Sequence, residues 1–119
     1  MKLKQFDIVI VNLNPTLGSE QQGAQRPCVI LQTNAANSYG HTIIIAPLSS
    51  NAKIIYPFEG IIKLNKNNNL KNTSKVKCEQ IRVIDKSRII KKVGKLSSDQ
   101  IDRIDQCLNV IFDLDKNFR

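Results

Sequence analysis

Phe6-Asp7-Ile8-Val9-Ile10-Val11-Asn12-Leu13 is a β-branched run closed by Asn14-Pro15. It reads as a strand ended by a turn. A second run, Arg26 to Gln32, reads as its neighbour, with Pro27 tolerable at the first positions of a strand. Between them lies Gly18-Ser19-Glu20-Gln21-Gln22-Gly23-Ala24-Gln25. Two glycines give this loop backbone freedom, and Pro27 stiffens its exit. A connector needs flexible residues, but it does not need Glu20 and Arg26 beside strand ends. Loops held by rigid strands concentrate binding and chemical groups, so the loop is expected to form half of a phosphodiester site.

Working outward, His41 to Leu48 is a third, well-buried strand, and Thr33 to Tyr39 before it is a polar connector with room for one helical turn. Pro47 is expected to end the ladder of the third strand, so that Leu48-Ser49-Ser50 emerges from the sheet. Residues 51–57 form a loop, Glu59 to Leu64 a modest strand, and Asn65 to Thr73 a mobile polar loop. From Lys75 to Ile84 polar and apolar residues alternate, predicting one long strand with Lys75, Lys77 and Glu79 on its solvent or ligand side. A bulge near Gln80-Ile81 would restore Arg82 to that side. Asp85 to Arg88 is a turn and Ile89 to Leu96 a short basic strand. Ser97 and Gln100 make a capping box, followed by Ile101, Ile104, Leu108, Ile111 and Leu114 at helical spacing. The strands lie too close in sequence for parallel crossovers of about a dozen residues each. The expected fold is mostly β: a small antiparallel barrel with a C-terminal α-helix.

A chain of 119 residues with 41% hydrophobic residues fits one domain, residues 1–119, with one aliphatic core. No apolar stretch approaches the ~18–20 residues of a membrane span, and no secretion signal precedes the first strand. The expected location is therefore the cytoplasm, without a membrane partner. Cys28, Cys78 and Cys107 lack metal-type spacing and read as small buried thiols. The net charge of +8 is uneven: between residues 61 and 95, eleven Lys and Arg face only Glu79 and Asp85. Such clustering favours a polyanionic partner, with a solvated basic face as the plain alternative.

His41 is the only histidine, which excludes a two-histidine ribonuclease. Acid–base work falls to Glu20, Glu79, Asp7, hydroxyls and guanidinium groups. A guanidinium is suited to holding a phosphate bidentately and stabilising a pentavalent transition state. RNA carries its own nucleophile in the 2′-OH, so one Arg, one carboxylate and one hydroxyl suffice, without metal or cofactor.

The segments Asp7 to Val11, Gly18 to Gly23 with Arg26-Pro27, Ala46-Pro47-Leu48-Ser49-Ser50, and Cys78 to Arg88 together resemble the MazF/PemK (Kid) toxin family. That resemblance implies an SH3-like barrel and a homodimer. It implies a metal-independent, sequence-specific endoribonuclease that cuts single-stranded RNA to 2′,3′-cyclic phosphate and 5′-hydroxyl ends. It also implies an acidic antitoxin whose disordered tail occupies the RNA groove. By the same resemblance Arg26 is the catalytic arginine, Ser49 stands for a catalytic threonine, and Glu20 matches an acidic residue used as base. Ser19, Gln21, Lys53, Lys77, Glu79, Gln80 and Arg82 are the RNA-binding positions. Ser19 falls where one branch has histidine, and Lys77 and Glu79 where that branch uses Arg and Asp. The loop carries one residue more than common members, Gln25. Plain alternatives are a Glu20–Arg26 ion pair bracing the loop, Ser49 capping a turn, and Glu79 pairing with Lys77 or Arg82. Two other functions compete: a DNA gyrase poison on the same fold, disfavoured by the absence of Trp, and a basic nucleic-acid-binding barrel without catalysis, disfavoured by few aromatics for base stacking.

Overall fold

The computed structural model describes residues 2–117 and 119. Its strands are β1 (Asp7–Val11), β2 (Arg26–Ile30), β3 (Thr42–Ser49), β4 (Glu59–Ile62), β5 (Ser74–Lys77), β6 (Arg82–Asp85) and β7 (Ile89–Lys95). The helices are the single turn α1 (Asn34–Asn37) and α2 (Ser98–Phe112). All the pairings are antiparallel, in the order β4-β5-β3-β2-β1-β7, with β6 also on β3. This is the expected antiparallel barrel with a terminal helix.

Alternating side chains feed two cores. Ile8, Val29, Ala46 and Leu48 pack toward α2, which contributes Ile104 and Cys107. Val9, Val11, Cys28, Ile30, Ile43, Ile45 and Ile84 fill the other side. The helix starts at the expected capping box, with Ser97 and Gln100 bonded reciprocally. It stops earlier than the apolar spacing suggests. Asp113 takes a left-handed conformation (φ 51°), so Leu114 lies beyond the helix and is exposed. All three cysteines are free and buried, as the sequence indicates.

Three strand expectations are corrected. Pro47 does not end the ladder: it pairs with Cys28, and Leu48 and Ser49 continue by pairing with Val76 and Lys75. Proline removes a donor, but its carbonyl remains, and β3 changes neighbours there rather than leaving the sheet. The single strand expected over residues 75–84 is two strands. Residues 76 and 75 pair with 48 and 49, whereas 82 and 85 pair with 45 and 42, a register offset of three. The three surplus residues, Cys78–Gln80, form a 3₁₀ turn in place of a one-residue bulge. Lys75 is buried rather than solvent-facing, bonded to the buried Glu59 carboxylate at 3.0 Å.

The polar stretch expected to be a mobile loop is ordered around Asn68, which is fully buried. The Asn65 and Leu70 N–H groups each donate to its Oδ1 at 3.1 Å, and its Nδ2 donates to the Lys63 carbonyl at 2.9 Å. This loop lies directly on Gly94 of β7. A Cβ there would sit 2.4 Å from the Asn67 carbonyl oxygen and 2.7 Å from the Asn68 Cα. Gly94→Ala is therefore expected to lower unfolding free energy by ~1–3 kcal/mol through backbone displacement, measured by denaturant titration; an unchanged midpoint would refute the close packing.

Candidate active site

The loop between β1 and β2 is tied down at both ends. The Leu13 N–H donates to the Gly23 carbonyl (2.8 Å), and the Gly23 N–H donates to Asn14 Oδ1 (3.1 Å). Arg88, just before β7, donates from Nη1 to the Asn14 carbonyl at 2.7 Å. The tip is fixed against the 3₁₀ turn, because the Gln21 N–H donates to Gln80 Oε1 at 2.5 Å. Glu20 is held inside the loop by the Leu17 N–H (3.0 Å). The register offset in the β5–β6 segment thus has a local result: it pushes Glu79 and Gln80 out as a knuckle facing this loop.

Between loop and knuckle opens a cleft of about 440 Å³. Glu20 and Gln21 line one wall, Glu79, Gln80 and Arg82 the other, with Pro47 of β3 also lining it. Five of the ten expected site residues are brought together here. Thr16 also lines this cleft, and its buried hydroxyl oxygen has no hydrogen-bond partner among the described residues. Sequence reasoning passed over Thr16, since a lone Thr after Pro15 carries no pattern.

Arg26 stands at the start of β2. Its Nε donates to the Gln22 carbonyl at 2.6 Å, and its chain folds over Gly23, where any Cβ would lie 2.5 Å from the Arg26 Cγ. Gly23 also has φ +139°, a conformation that side chains disfavour. The glycine therefore positions the arginine. No ion pair joins Glu20 to Arg26 among the described residues, so the loop-bracing alternative is absent. Arg26 instead shares one side of the sheet with Arg82. The buried Cys28 thiol is pushed up to about 12 by burial, and both guanidinium groups pull against that shift. The strand pattern agrees: Arg26 alternates with Cys28 and Ile30, and Arg82 pairs with Ile45, all on one side of the sheet.

Ser49 is reached by extending the Cys28–Pro47 register two places, which sets it level with Arg26. Its Oγ accepts from the Asn51 N–H at 3.2 Å, the turn-capping arrangement. Ser49, Ser19, Lys53 and Lys77 do not line the cleft. Ser19 and Lys53 are exposed on loops, and Lys77 pairs with Glu59 across β5 and β4. Asp7 is no acid–base group here: it is buried, accepting from the Lys4 N–H and pairing with Lys92 at 3.2 Å.

Glu79 has a partner that the sequence did not show. Burial first, and then a hydrogen bond to the Glu59 carboxyl, hold its acid above the ordinary range. Glu59 shifts the other way. Burial opposes its ionisation, but the Tyr56 N–H and the Lys75 ammonium outweigh it and hold the carboxyl low. The pair therefore pushes its two pKa values apart, so that Glu79 keeps a proton more readily than an ordinary Glu. Glu59 lies on a short strand with no local signal for such a role.

In outline the chain is a barrel of the MazF type. It matches MazF from Deinococcus radiodurans with a TM-score of 0.80 at 24% identity, covering 96% of this chain and 99% of that one. It also matches an endoribonuclease from a mycobacterial species, solved in complex with its cognate antitoxin, with a TM-score of 0.76 at 15% identity over 94% and 96% of the two chains. Residues 4–112 match the profile of the PemK-like, MazF-like toxins of type II toxin–antitoxin systems. Endoribonuclease EndoA of Bacillus subtilis (strain 168) is 32% identical over 111 residues, 92% of this chain and 94% of that protein. The chain belongs to the PemK-like, MazF-like toxin family.

Proposed function

We propose that this chain is the toxin of a type II toxin–antitoxin pair and cuts single-stranded RNA as a sequence-specific, metal-independent endoribonuclease. The observation that carries this reading is that Arg26 and Arg82 lie on one side of the sheet, with Arg82 lining a cleft that has carboxylates on both walls. Guanidinium groups on one side of the sheet can hold a phosphodiester and stabilise charge on its transition state. Glu20 then takes the 2′-OH proton, the 2′-oxygen attacks the adjacent phosphorus, and the P–O5′ bond breaks, the 5′-oxygen taking a proton from water. The products are a 2′,3′-cyclic phosphate and a 5′-hydroxyl. Ser49, level with Arg26, hydrogen-bonds the phosphate once its hydroxyl turns from Asn51.

Glu79, whose acid is held above the ordinary range, contacts the bound RNA. Gln21, Gln80 and Arg82 contact nucleotides within the cleft, while Ser19, Lys53 and Lys77 grip the strand outside it. Gln80 and Arg82 also brace the site, since Arg82 Nη1 reaches the Leu13 carbonyl at 3.4 Å. The chain works in this proposal as a single cytoplasmic domain in a homodimer, silenced by an acidic antitoxin. Incubating the purified protein with a long single-stranded RNA in EDTA is expected to give discrete cuts with cyclic-phosphate ends. Intact RNA, or cleavage only after a divalent ion is added, would overturn the reading.

A further inference from the structure

We propose that a second cleft, lined by Arg26, binds the RNA nucleotides flanking the cleaved bond. This rests on the reading that the chain cuts single-stranded RNA. The second cleft, about 590 Å³, lies between the start of β2, the end of β3, the Asn68 loop and β7. Its character differs from the first. The first cleft has Glu20 and Glu79 among its walls, whereas no carboxylate lines the second, which carries Arg26, Lys71, Lys91 and Lys92. An acid-free basic wall suits phosphates that are held and not cut.

Lys92 is partly committed to Asp7. Lys71 and Lys91 are exposed and make no ion pair among the described residues, so their charge is available. Between the cations lies part-exposed apolar surface from Ile10 and Leu70, which accepts the face of a base. The side-chain amide of Asn72 makes no hydrogen bond among the described residues and can meet a base edge. Continuity decides the occupant. Arg26 lines this cleft and is also the residue that holds the scissile phosphate in the reading above. A phosphate held by Arg26 therefore already stands at the mouth of the second cleft, and the strand on one side of it has nowhere more favourable to run. An acidic peptide would satisfy the lysines but has no such anchor.

The test is a binding measurement that needs no catalysis. A short 2′-fluoro RNA, which lacks the 2′-OH nucleophile, is titrated by fluorescence anisotropy over a range of salt concentrations. Lys71→Ala with Lys91→Ala is expected to reduce the slope of log affinity against log salt by about 1.4, from ~0.7 per phosphate on a single strand. Lys71→Arg with Lys91→Arg should restore it. An unchanged slope in the alanine variant overturns the inference, as does loss of poly-glutamate binding with RNA binding intact. Failure of the wild type to cut native RNA is a separate result, which removes the nuclease reading and leaves the slope to judge the cleft.

Discussion

Arg26→Ala is expected to reduce the rate of RNA cleavage by about 10³-fold or more while leaving the fold intact. The magnitude follows from what arginines do in phosphoryl chemistry, where removing a guanidinium that stabilises the transition state costs ~10³–10⁵. A 10³-fold loss corresponds to about 4 kcal/mol of transition-state stabilisation. Arg26 has few structural duties to set against this. It is only part-buried, its side chain donates to the Gln22 carbonyl, and that chain rests on Gly23. Its loss should shift stability by no more than ~0.5 kcal/mol, as surface changes do. Arg26→Lys keeps the charge but replaces a planar fork by a point charge, so it should recover only part of the rate. Single-turnover cleavage of a fixed RNA, with thermal unfolding measured alongside, separates the two effects. Wild-type rates in Arg26→Ala would remove Arg26 from the chemistry and transfer the phosphate to Arg82.

What the sequence made legible is local, and what it concealed depends on contacts between distant residues. β1, β2, the single turn of α1 and the capping box at Ser97 each follow from patterns within a few residues. The break at Cys78–Gln80 does not. Lys75, Val76, Lys77 and Cys78 alternate as a strand should, and the interruption comes from β3, which passes from one neighbour to another past Pro47. Ile104 and Leu108 marked the helix face correctly, but Cys107 between them carries as much of the burial. The helix stop at Asp113 had no glycine to announce it. At the site, Arg26, Glu20 and Ser49 came from resemblance to known sequences, and the structure adds how they stand. Glu20 and Arg26 sit in one loop yet face different clefts. That placing depends on Gly23, which leaves room for the arginine chain to fold back over the loop, a backbone matter that residue types alone do not express. Glu59, which shifts the acid on Glu79, sits 20 residues before it in the chain and is found only when β4 pairs with β5.

Lys75→Met is expected to destabilise the fold by about 3–5 kcal/mol, the cost of leaving a buried charge without its partner. Lys75 Nζ bonds Glu59 Oε1 at 3.0 Å and the Ile54 carbonyl at 2.8 Å, and lies 5.8 Å from the centre of the Tyr56 ring. Glu59 also accepts from the Tyr56 N–H at 3.1 Å, so this ion pair fastens the loop of residues 51–57 to the sheet. The Glu59 carboxyl is held below its ordinary value of 4.5, so the stability it contributes is present above that pH and is lost as pH falls through the folded pKa. In Lys75→Met the sign reverses. Burial then dominates, the carboxyl is pushed up, and the variant should regain stability as acid protonates it. Adding Glu59→Gln should rescue most of the loss at neutral pH, because the amide oxygen still accepts from Tyr56 and no charge remains to be compensated. Denaturant unfolding of the wild type, Lys75→Met and the double variant at pH 7 and pH 4 measures all three terms. If Lys75→Met were as stable as the wild type at pH 7, the pair would be no more than a surface contact. The Glu79 acid is raised in part by this same Glu59 carboxyl. The support beneath the knuckle and the protonation of its carboxyl therefore depend on one buried ion pair, and changing Lys75 should alter both together.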